Sequence, residues 1–209
     1  FWDALITATP APTHRRLVGF DARQFLDRKR AQRTELFAQA AVGAARLAHD
    51  DAGAPVDEPE GMAVVMGTGN GGTRTTIQGY LDFQEKGREG VSLLSGVMSM
   101  SNAGSANVAF ELGTKGVTYS VASGCASGTH AVADGFRLVR DGTADVAYAG
   151  GSESGLLPDG DDPVTAALRN LRVHTEAEVA RAFDLERDGF VYAEGAGVER
   201  LEAQDAAVA

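Results

Sequence analysis

The sequence predicts an α/β protein with a mainly parallel sheet. Segments of strand character alternate with segments of helical periodicity, and the clearest unit runs as strand 117–123, helix 127–142 and strand 144–151. A connection of this kind predicts parallel strands with helices on both faces of the sheet. The composition agrees, because 209 residues with 44% hydrophobic and 23% charged residues can form one sizeable core or two small lobes that share one.

The other predicted elements follow the same alternation. A helix is expected within 33–53, because apolar residues recur there at helical spacing and Gly53 is suited to end it. A buried strand at 62–67 leads into a glycine-rich turn. The further predicted elements are a helix at 73–83, a small-residue helix at 101–113 that ends at Gly113, and two strands within 189–202 around a Glu-Gly-Ala-Gly turn.

Charge and cysteine content exclude several classes of function. The formal charge is −10 at pH 7, so the overall field disfavours nucleic acid and anionic membrane surfaces. A single cysteine cannot build a disulfide framework or a multi-thiolate metal site, and we expect no metal and no cofactor. The sequence contains no signal peptide and no apolar run of about 18 residues. These features predict a cytoplasmic protein.

The one cysteine, Cys125, lies where the strand 117–123 gives way to a helix. Its sulfur would lie near the free N–H groups and the positive dipole end of that helix, which favours the thiolate. Gly124 and Gly128 permit a tight turn and the close approach of a ligand. An isolated cysteine is more often a small buried apolar residue, but these neighbours favour a nucleophile.

Four stretches of the chain carry a family resemblance. They are LDRKRAQRTELFAQAAVGAARLAHDDAG, GTGNGG, SVASGCASGTHAVADGFRLVRDGTADVAYAGGSE and FDLERDGFVYAEGAGVERLE, in that order. Together they resemble the elongating β-ketoacyl-acyl-carrier-protein synthases of type II fatty-acid and polyketide systems. The resemblance covers nearly all 209 residues but only about the N-terminal half of such a synthase. It implies that residues 1–209 are the N-terminal portion of a thiolase-like fold, a duplicated α/β/α layered architecture whose C-terminal half lies outside this chain.

The resemblance also implies a chemistry. Cys125 matches the nucleophile that takes an acyl chain, as a thioester, from the phosphopantetheine of an acyl carrier protein. Its backbone N–H would be one oxyanion donor. The family then decarboxylates a malonyl-type extender, and the carbanion attacks the thioester with the help of two histidines from the second half. Family members are usually dimers with the cysteine strand near the twofold axis, so we expect a homodimer or a heterodimer with a ketosynthase-like subunit.

A basic stretch, DRKRAQR, is the candidate docking site for the acidic carrier protein. If this stretch is helical, Lys29 and Arg33 project from one face with Arg30 beside them. The resembling family uses basic residues at the positions that match Lys29 and Arg33. A solvated charged surface is the alternative interpretation of the same residues.

The four histidines do not complete a catalytic set. His14, His49 and His174 match no catalytic histidine motif, and His130 lies where the family also has a non-catalytic histidine. We therefore interpret all four as structural or solvent-exposed. Acyl transfer to sulfur is conceivable with the residues present, whereas condensation needs the second half.

Two other functions remain open. A non-catalytic chain-length partner subunit would also resemble ketosynthases, although such subunits generally lack the cysteine. The stretch GTGNGG satisfies the dinucleotide pattern G-x-G-x-x-G, but no second strand ending in an acidic residue follows about 20 positions later. The choice between fatty-acid and polyketide synthesis, the substrates and the chain length are not encoded in any pattern found.

Overall fold

The computed structural model describes residues 17, 19–53, 58–155, 167, 173–174, 183–187 and 189–203. The chain divides into two compact units. The larger unit comprises Gly19–Ser154 and Gly195–Ala209, and the smaller comprises Phe1–Val18 and Gly155–Glu194. The larger unit contains the sheet and all the helices named below.

Six strands and six α-helices make up the described secondary structure. The strands are β1 Met62–Gly67, β2 Thr118–Val121, β3 Val146–Glu153, β4 Val173–His174, β5 Phe190–Val191 and β6 Gly195–Glu202. The helices are α1 Arg28–Ala31, α2 Leu36–Ala52, α3 Thr73–Lys86, α4 Ser95–Met98, α5 Ala103–Leu112 and α6 Ser127–Arg140. Short 3-10 turns lie at Ala22–Gln24, Pro59–Gly61, Arg88–Gly90 and Gly124–Ala126.

The main sheet has the strand order β2-β1-β3-β6. Strand β1 pairs in parallel with β2 on one side and with β3 on the other, which confirms the predicted parallel sheet. The connection from β2 through α6 to β3 therefore passes over β1. Strand β6 pairs antiparallel with β3, with Gly150 opposite Val198.

The end of the sheet differs from the prediction in one respect. Two strands do occur within 189–202, but the expected glycine turn between them is not a turn, because Gly195 and Gly197 already belong to β6. A side chain at Gly150 of β3 would overlap the backbone of Gly197. The two strands thus approach too closely for a side chain at residue 150, a contact that the local sequence does not reveal.

The core lies on both faces of the sheet. Residues of β1 alternate between the faces, and all six are buried. Met62, Val64 and Met66 pack in one cluster with residues of α2 and α5. Val65 packs in another with Ala131 of α6. Helices therefore cover both faces of β1, as the buried apolar strand predicts.

Glycines in the left-handed helical conformation follow two of the helices. Gly53 follows α2 with φ at 56°, and Gly113 follows α5 with φ at 71°. Both are in the left-handed region that glycine adopts without steric cost. The two predicted helix ends are confirmed.

The smaller unit contains one short parallel pair, β4 with β5. Outside this pair, Glu194 links two segments of the same unit, because its carboxylate accepts hydrogen bonds from the N–H groups of Leu17 at 2.9 Å and Gly155 at 2.8 Å. Among the helices described, none is long and apolar enough to cross a bilayer.

Candidate active site

Cys125 is presented at the surface by the turn between β2 and α6. Strand β2 ends at Val121, the 3-10 turn Gly124–Ala126 follows, and α6 begins at Ser127. The side chain is exposed and reduced. Gly124 has φ at 63°, and open space surrounds the position of its missing side chain, so conformation rather than crowding favours glycine there. The thiol is thus available to a reagent from solvent.

Ser127 holds this turn in place. Its side chain is only 2% exposed. The hydroxyl oxygen accepts the N–H of Ser123 at 2.8 Å, and the hydroxyl group donates toward the carbonyl oxygens of Gly124 at 2.6 Å and Thr68 at 3.1 Å. One buried serine therefore joins both sides of the cysteine turn to the end of β1.

The glycine-rich stretch after β1 lies directly against the cysteine turn. A side chain at Gly67 would overlap the backbone of Ser127, so glycine is needed where α6 approaches β1. A Cβ placed on Gly69 would lie 3.5 Å from the carbonyl oxygen of Gly124. Within the described range 58–155, no strand lies between Gly67 and Thr118. The glycine pattern thus serves packing around Cys125, and the second strand of a dinucleotide fold is missing from this range.

Glu153 is a polar residue of this region that the sequence analysis did not single out. It ends β3, and its carboxylate accepts the N–H groups of Gly69 at 2.7 Å and Asn70 at 3.2 Å. Burial raises the pKa of this carboxyl group, whereas the hydrogen bonds from the two backbone N–H groups and the Thr68 hydroxyl act in the opposite direction. Its position at the end of a strand parallel to β1 was the available signal, since such strand ends share one edge of the sheet.

Two histidines have described side chains, and each has a partner. Nδ1 of His130 lies 2.7 Å from the hydroxyl oxygen of Ser123, two residues before Cys125. Nδ1 of His49 lies 2.6 Å from the hydroxyl oxygen of the buried Tyr148. His14 lies outside the described residues, and His174 lies in β4 with its side chain outside the description. No group of three or more His, Cys, Asp or Glu residues arranged to hold a metal ion occurs in the described part of the chain.

The basic stretch is only partly helical. Helix α1 ends at Ala31. The side-chain amide of Gln39 donates to the carbonyl oxygens of Ala31 and Thr34 in the turn that follows. Arg33 therefore lies beyond the helix, and the condition of one continuous helical face is not met. Lys29 and Arg33 are both exposed.

Arg30 differs from its two basic neighbours. Its guanidinium forms a salt bridge of 2.6 Å with Glu111 of α5 and is only partly exposed. This ion pair joins α1 to α5 within the larger unit. Of the three candidate docking residues, Lys29 and Arg33 are the two exposed ones.

A cleft of about 160 Å³ lies between the start of α2 and α5. Its wall is formed by apolar side chains such as Met98 and Phe110 together with Glu35. Burial raises the pKa of the Glu35 carboxyl group to about 7, with a hydrogen bond from Ser154, the charge of Arg74 and the Thr75 hydroxyl acting against it. None of the sequence patterns described above marks this carboxyl group.

Comparisons with known proteins agree on one family. A sequence model described as the β-ketoacyl synthase N-terminal domain matches residues 7–207. The chain is 35% identical over 193 residues to 3-oxoacyl-[acyl-carrier-protein] synthase 2 of Synechocystis sp., a match that covers 91% of this chain and 46% of that protein. The chain thus spans about half the length of this curated relative.

Two solved structures share the fold. The ishigamide ketosynthase/chain length factor matches with a TM-score of 0.82 and 26% identity, covering 92% of this chain and 47% of that one. A β-ketoacyl synthase from Burkholderia phymatum matches with a TM-score of 0.75 and 27% identity, covering 100% of this chain and 52% of that one. The predicted thiolase-like ketosynthase fold is therefore confirmed, and the chain belongs to the β-ketoacyl synthase family, whose N-terminal domain it contains.

Proposed function

We propose that this chain is the cysteine-bearing half of an elongating β-ketoacyl synthase and that Cys125 accepts the acyl chain. The observation that carries the proposal is the exposed thiol in the turn immediately before the 14-residue helix α6. The first N–H groups of a helix have no acceptor within the helix, and the dipole places positive charge at that end. Both features stabilise an oxyanion that forms beside this end of the helix.

The proposed first step is a thioester exchange. The Cys125 thiolate attacks the carbonyl carbon of an acyl thioester and forms a tetrahedral intermediate with an oxyanion. The Cys125 backbone N–H donates to that oxyanion. The intermediate collapses with cleavage of the bond to the donor sulfur, which leaves as a thiol after taking the proton that the cysteine lost. The bonds broken and formed are both carbon–sulfur bonds, so no oxidant or reductant is needed.

The proposed second step is decarboxylative condensation. A malonyl-type extender loses carbon dioxide, and its carbanion attacks the Cys125 thioester and releases the thiolate. The family performs this step with two histidines from its second half, and we propose that these residues come from outside residues 1–209.

The proposed acyl donor is an acyl carrier protein, in fatty-acid or polyketide synthesis. The name of the Synechocystis relative includes a 3-oxoacyl group on an acyl carrier protein. Lys29 and Arg33 are exposed, so their charges are accessible to an acidic partner. Arg30 is assigned to the same docking surface, but its salt bridge with Glu111 makes its contribution smaller.

We further propose that the protein acts as a dimer, either with itself or with a ketosynthase-like subunit. Strand β2, which precedes Cys125, is an edge strand of the main sheet. An edge strand offers unpaired backbone groups to a second sheet. The relevant measurement is the native mass of the purified protein, alone and with candidate partner subunits.

The test of the proposed function is acyl transfer from a carrier protein. The longest native polypeptide that contains this chain is incubated with an acyl-carrier thioester. The protein is then digested, and the masses of its peptides are measured by mass spectrometry. We expect the acyl mass on the peptide with Cys125 and a loss of at least about 1,000-fold in labelling with Cys125→Ala. The matched control is Ala126→Ser, which alters the exposed neighbour but keeps the thiol.

Two outcomes contradict the proposal. Equal labelling of the Cys125→Ala variant would assign the acyl group to another residue. No labelling of the native protein by any carrier thioester would favour the second candidate, a chain-length partner subunit. The observation that favours this second candidate is the similarity to the ishigamide ketosynthase/chain length factor.

A further inference from the structure

We propose that Glu153 is a positioning residue for acyl transfer to Cys125. Its carboxylate fixes the turn at residues 68–71, whose Thr68 carbonyl oxygen accepts the Ser127 hydroxyl. The same hydroxyl group bonds to the Gly124 carbonyl oxygen, and through Ser127 the turn sets the direction of the Cys125 backbone N–H. The inference rests on the proposed function of Cys125 as the acyl acceptor.

The topology brings Glu153 to the turn. Strands β1 and β3 are parallel neighbours with Gly67 opposite Gly151, so the turn after β1 and the end of β3 meet at one edge of the sheet. Oε2 of Glu153 accepts the N–H of Gly69 at 2.7 Å and that of Asn70 at 3.2 Å. The Thr68 hydroxyl lies 3.4 Å from Oε1. Donors from three successive residues on one carboxylate restrict the turn to one conformation.

The same turn touches the cysteine turn. A Cβ placed on Gly69 would lie 3.0 Å from Oε2 of Glu153 and 3.5 Å from the carbonyl oxygen of Gly124. The space beside residue 69 is therefore bounded by both groups. On its other side, the carbonyl oxygen of Thr68 accepts the Ser127 hydroxyl at 3.1 Å. The turn lies between Glu153 and the segment that carries Cys125.

The Ser127 hydroxyl lies 2.6 Å from the Gly124 carbonyl oxygen, and this hydrogen bond controls the direction of the proposed oxyanion donor. The carbonyl group of Gly124 and the N–H of Cys125 belong to the same planar peptide unit, and in a trans peptide they point in opposite directions. The peptide bonds described are all trans. Whatever fixes the Gly124 oxygen therefore fixes the Cys125 N–H. Loss of one oxyanion donor lowers enzyme rates by about 100-fold to 1,000-fold, so a misdirected donor has a measurable cost.

The test compares two reactions of the same thiol in the longest native polypeptide. Iodoacetamide alkylates sulfur without forming an oxyanion, whereas a small acyl thioester forms one. With Glu153→Gln we expect acylation to slow by about 10-fold to 100-fold and alkylation to change by less than about twofold. Glu153→Asp keeps the charge, and we expect its acylation rate to lie between those of the native protein and Glu153→Gln. The matched control is Glu199→Gln, an exposed carboxyl group on β6, which should leave both rates unchanged.

Several results would overturn the proposal. Unchanged acylation in Glu153→Gln would exclude a positioning role, and an equal fall in both reactions would indicate a general loss of structure. If Glu153→Gln does not fold, Thr68→Val removes a hydroxyl group from the same turn. A fall in its acylation rate without a fall in its alkylation rate would support the positioning role, and an unchanged ratio of the two rates would exclude it. Failure of the native protein to acylate Cys125 at all would instead refute the proposed function, so the two failures are distinguishable.

Discussion

At the scale of single residues, Glu35 is a buried carboxyl group whose protonation we expect to affect stability. It is 6% exposed and precedes α2. Its hydrogen bond from the Ser154 hydroxyl is 3.2 Å long, and its Oε2 atom is buried without a geometric hydrogen-bond partner in the part of the chain described. Such a site favours the neutral form of a carboxyl group.

The first prediction at this scale concerns pH. The Glu35 pKa is raised from 4.5 to about 7, so the folded state binds this proton more tightly than the unfolded state. Its stabilising contribution is complete below about pH 4.5 and is lost as the pH rises toward 7. A shift of this size corresponds to at most roughly 3 kcal/mol. We expect Glu35→Gln to remove this part of the pH dependence.

The measurement is the free energy of unfolding by denaturant at pH 5 and pH 8. From pH 5 to pH 8, the free energy of unfolding of the native protein should fall by about 1–3 kcal/mol more than that of Glu35→Gln. Glu89→Gln, at an exposed carboxyl group, serves as the control and should behave like the native protein. Parallel curves for native protein and Glu35→Gln would show that Glu35 does not carry the predicted proton.

At the scale of elements, the position of Cys125 depends on how closely α6 approaches β1. The N-terminus of α6 rests on the last residue of β1, where glycine leaves room for the backbone of Ser127. Both elements are fixed by further contacts, since β1 is buried along its whole length and Ala131 of α6 is buried against it. Neither element can move away without opening the core.

Gly67→Ala tests this packing. The added methyl group meets backbone atoms rather than a flexible side chain, so we expect a loss of about 3 kcal/mol or more in the free energy of unfolding. The matched control is Gly197→Ala in β6, where nothing lies within 4 Å of the new Cβ and a change of less than about 1 kcal/mol is expected. Similar losses of unfolding free energy in both variants would mean that any glycine replacement in a strand is destabilising, and that the approach of α6 is not the cause.

The elements themselves are largely encoded by local sequence. The helical spacing and Gly53 predict α2 and its end, and the apolar run predicts β1 as a buried strand, because both signals arise from neighbours in the chain. The docking stretch shows the limit of this reasoning. Helix α1 stops at Ala31, and the carbonyl oxygen of Ala31 is bound by the side-chain amide of Gln39, eight positions later, which no local pattern indicates.

The candidate site is less predictable than the elements. The position of Cys125 follows from one continuous stretch, whereas the contact between Glu153 and Gly69 joins residues 84 positions apart. That contact depends on the register of β1 with β3, and a sequence pattern does not specify register between distant strands. The salt bridge of Arg30 with Glu111 joins residues 81 positions apart on two helices, and a local sequence pattern does not specify how distant helices pack.

At the scale of the whole molecule, net charge opposes the proposed encounter with a carrier protein. This chain has a formal charge of −10, and carrier proteins of this type are acidic, so long-range repulsion slows their approach. Local positive charge at Lys29 and Arg33 must therefore offset the overall field at the docking surface. Arg30 contributes less free charge because Glu111 lies 2.6 Å from its guanidinium.

The last prediction reverses the charge of that surface. Lys29→Glu with Arg33→Glu changes two positive charges to two negative ones and takes the chain from −10 to −14. We expect acyl loading from a carrier protein to slow by about 10-fold or more, with loading from a small acyl thioester nearly unchanged, because only encounter and docking are affected. The measurement is the rate of thioester formation on Cys125 with each donor in the longest native polypeptide.

A second double variant separates local charge from net charge. Lys86→Glu with Arg88→Glu, at exposed residues near the end of α3, also gives −14 and should slow carrier loading much less. Equal slowing in the two double variants would attribute the effect to net charge alone. Equal losses with both donors in the Lys29 and Arg33 variant would instead mean that these residues support the fold or the cysteine site. Because attraction between exposed charges weakens with salt, the selective loss should shrink as ionic strength rises, and a loss independent of salt would count against electrostatic docking.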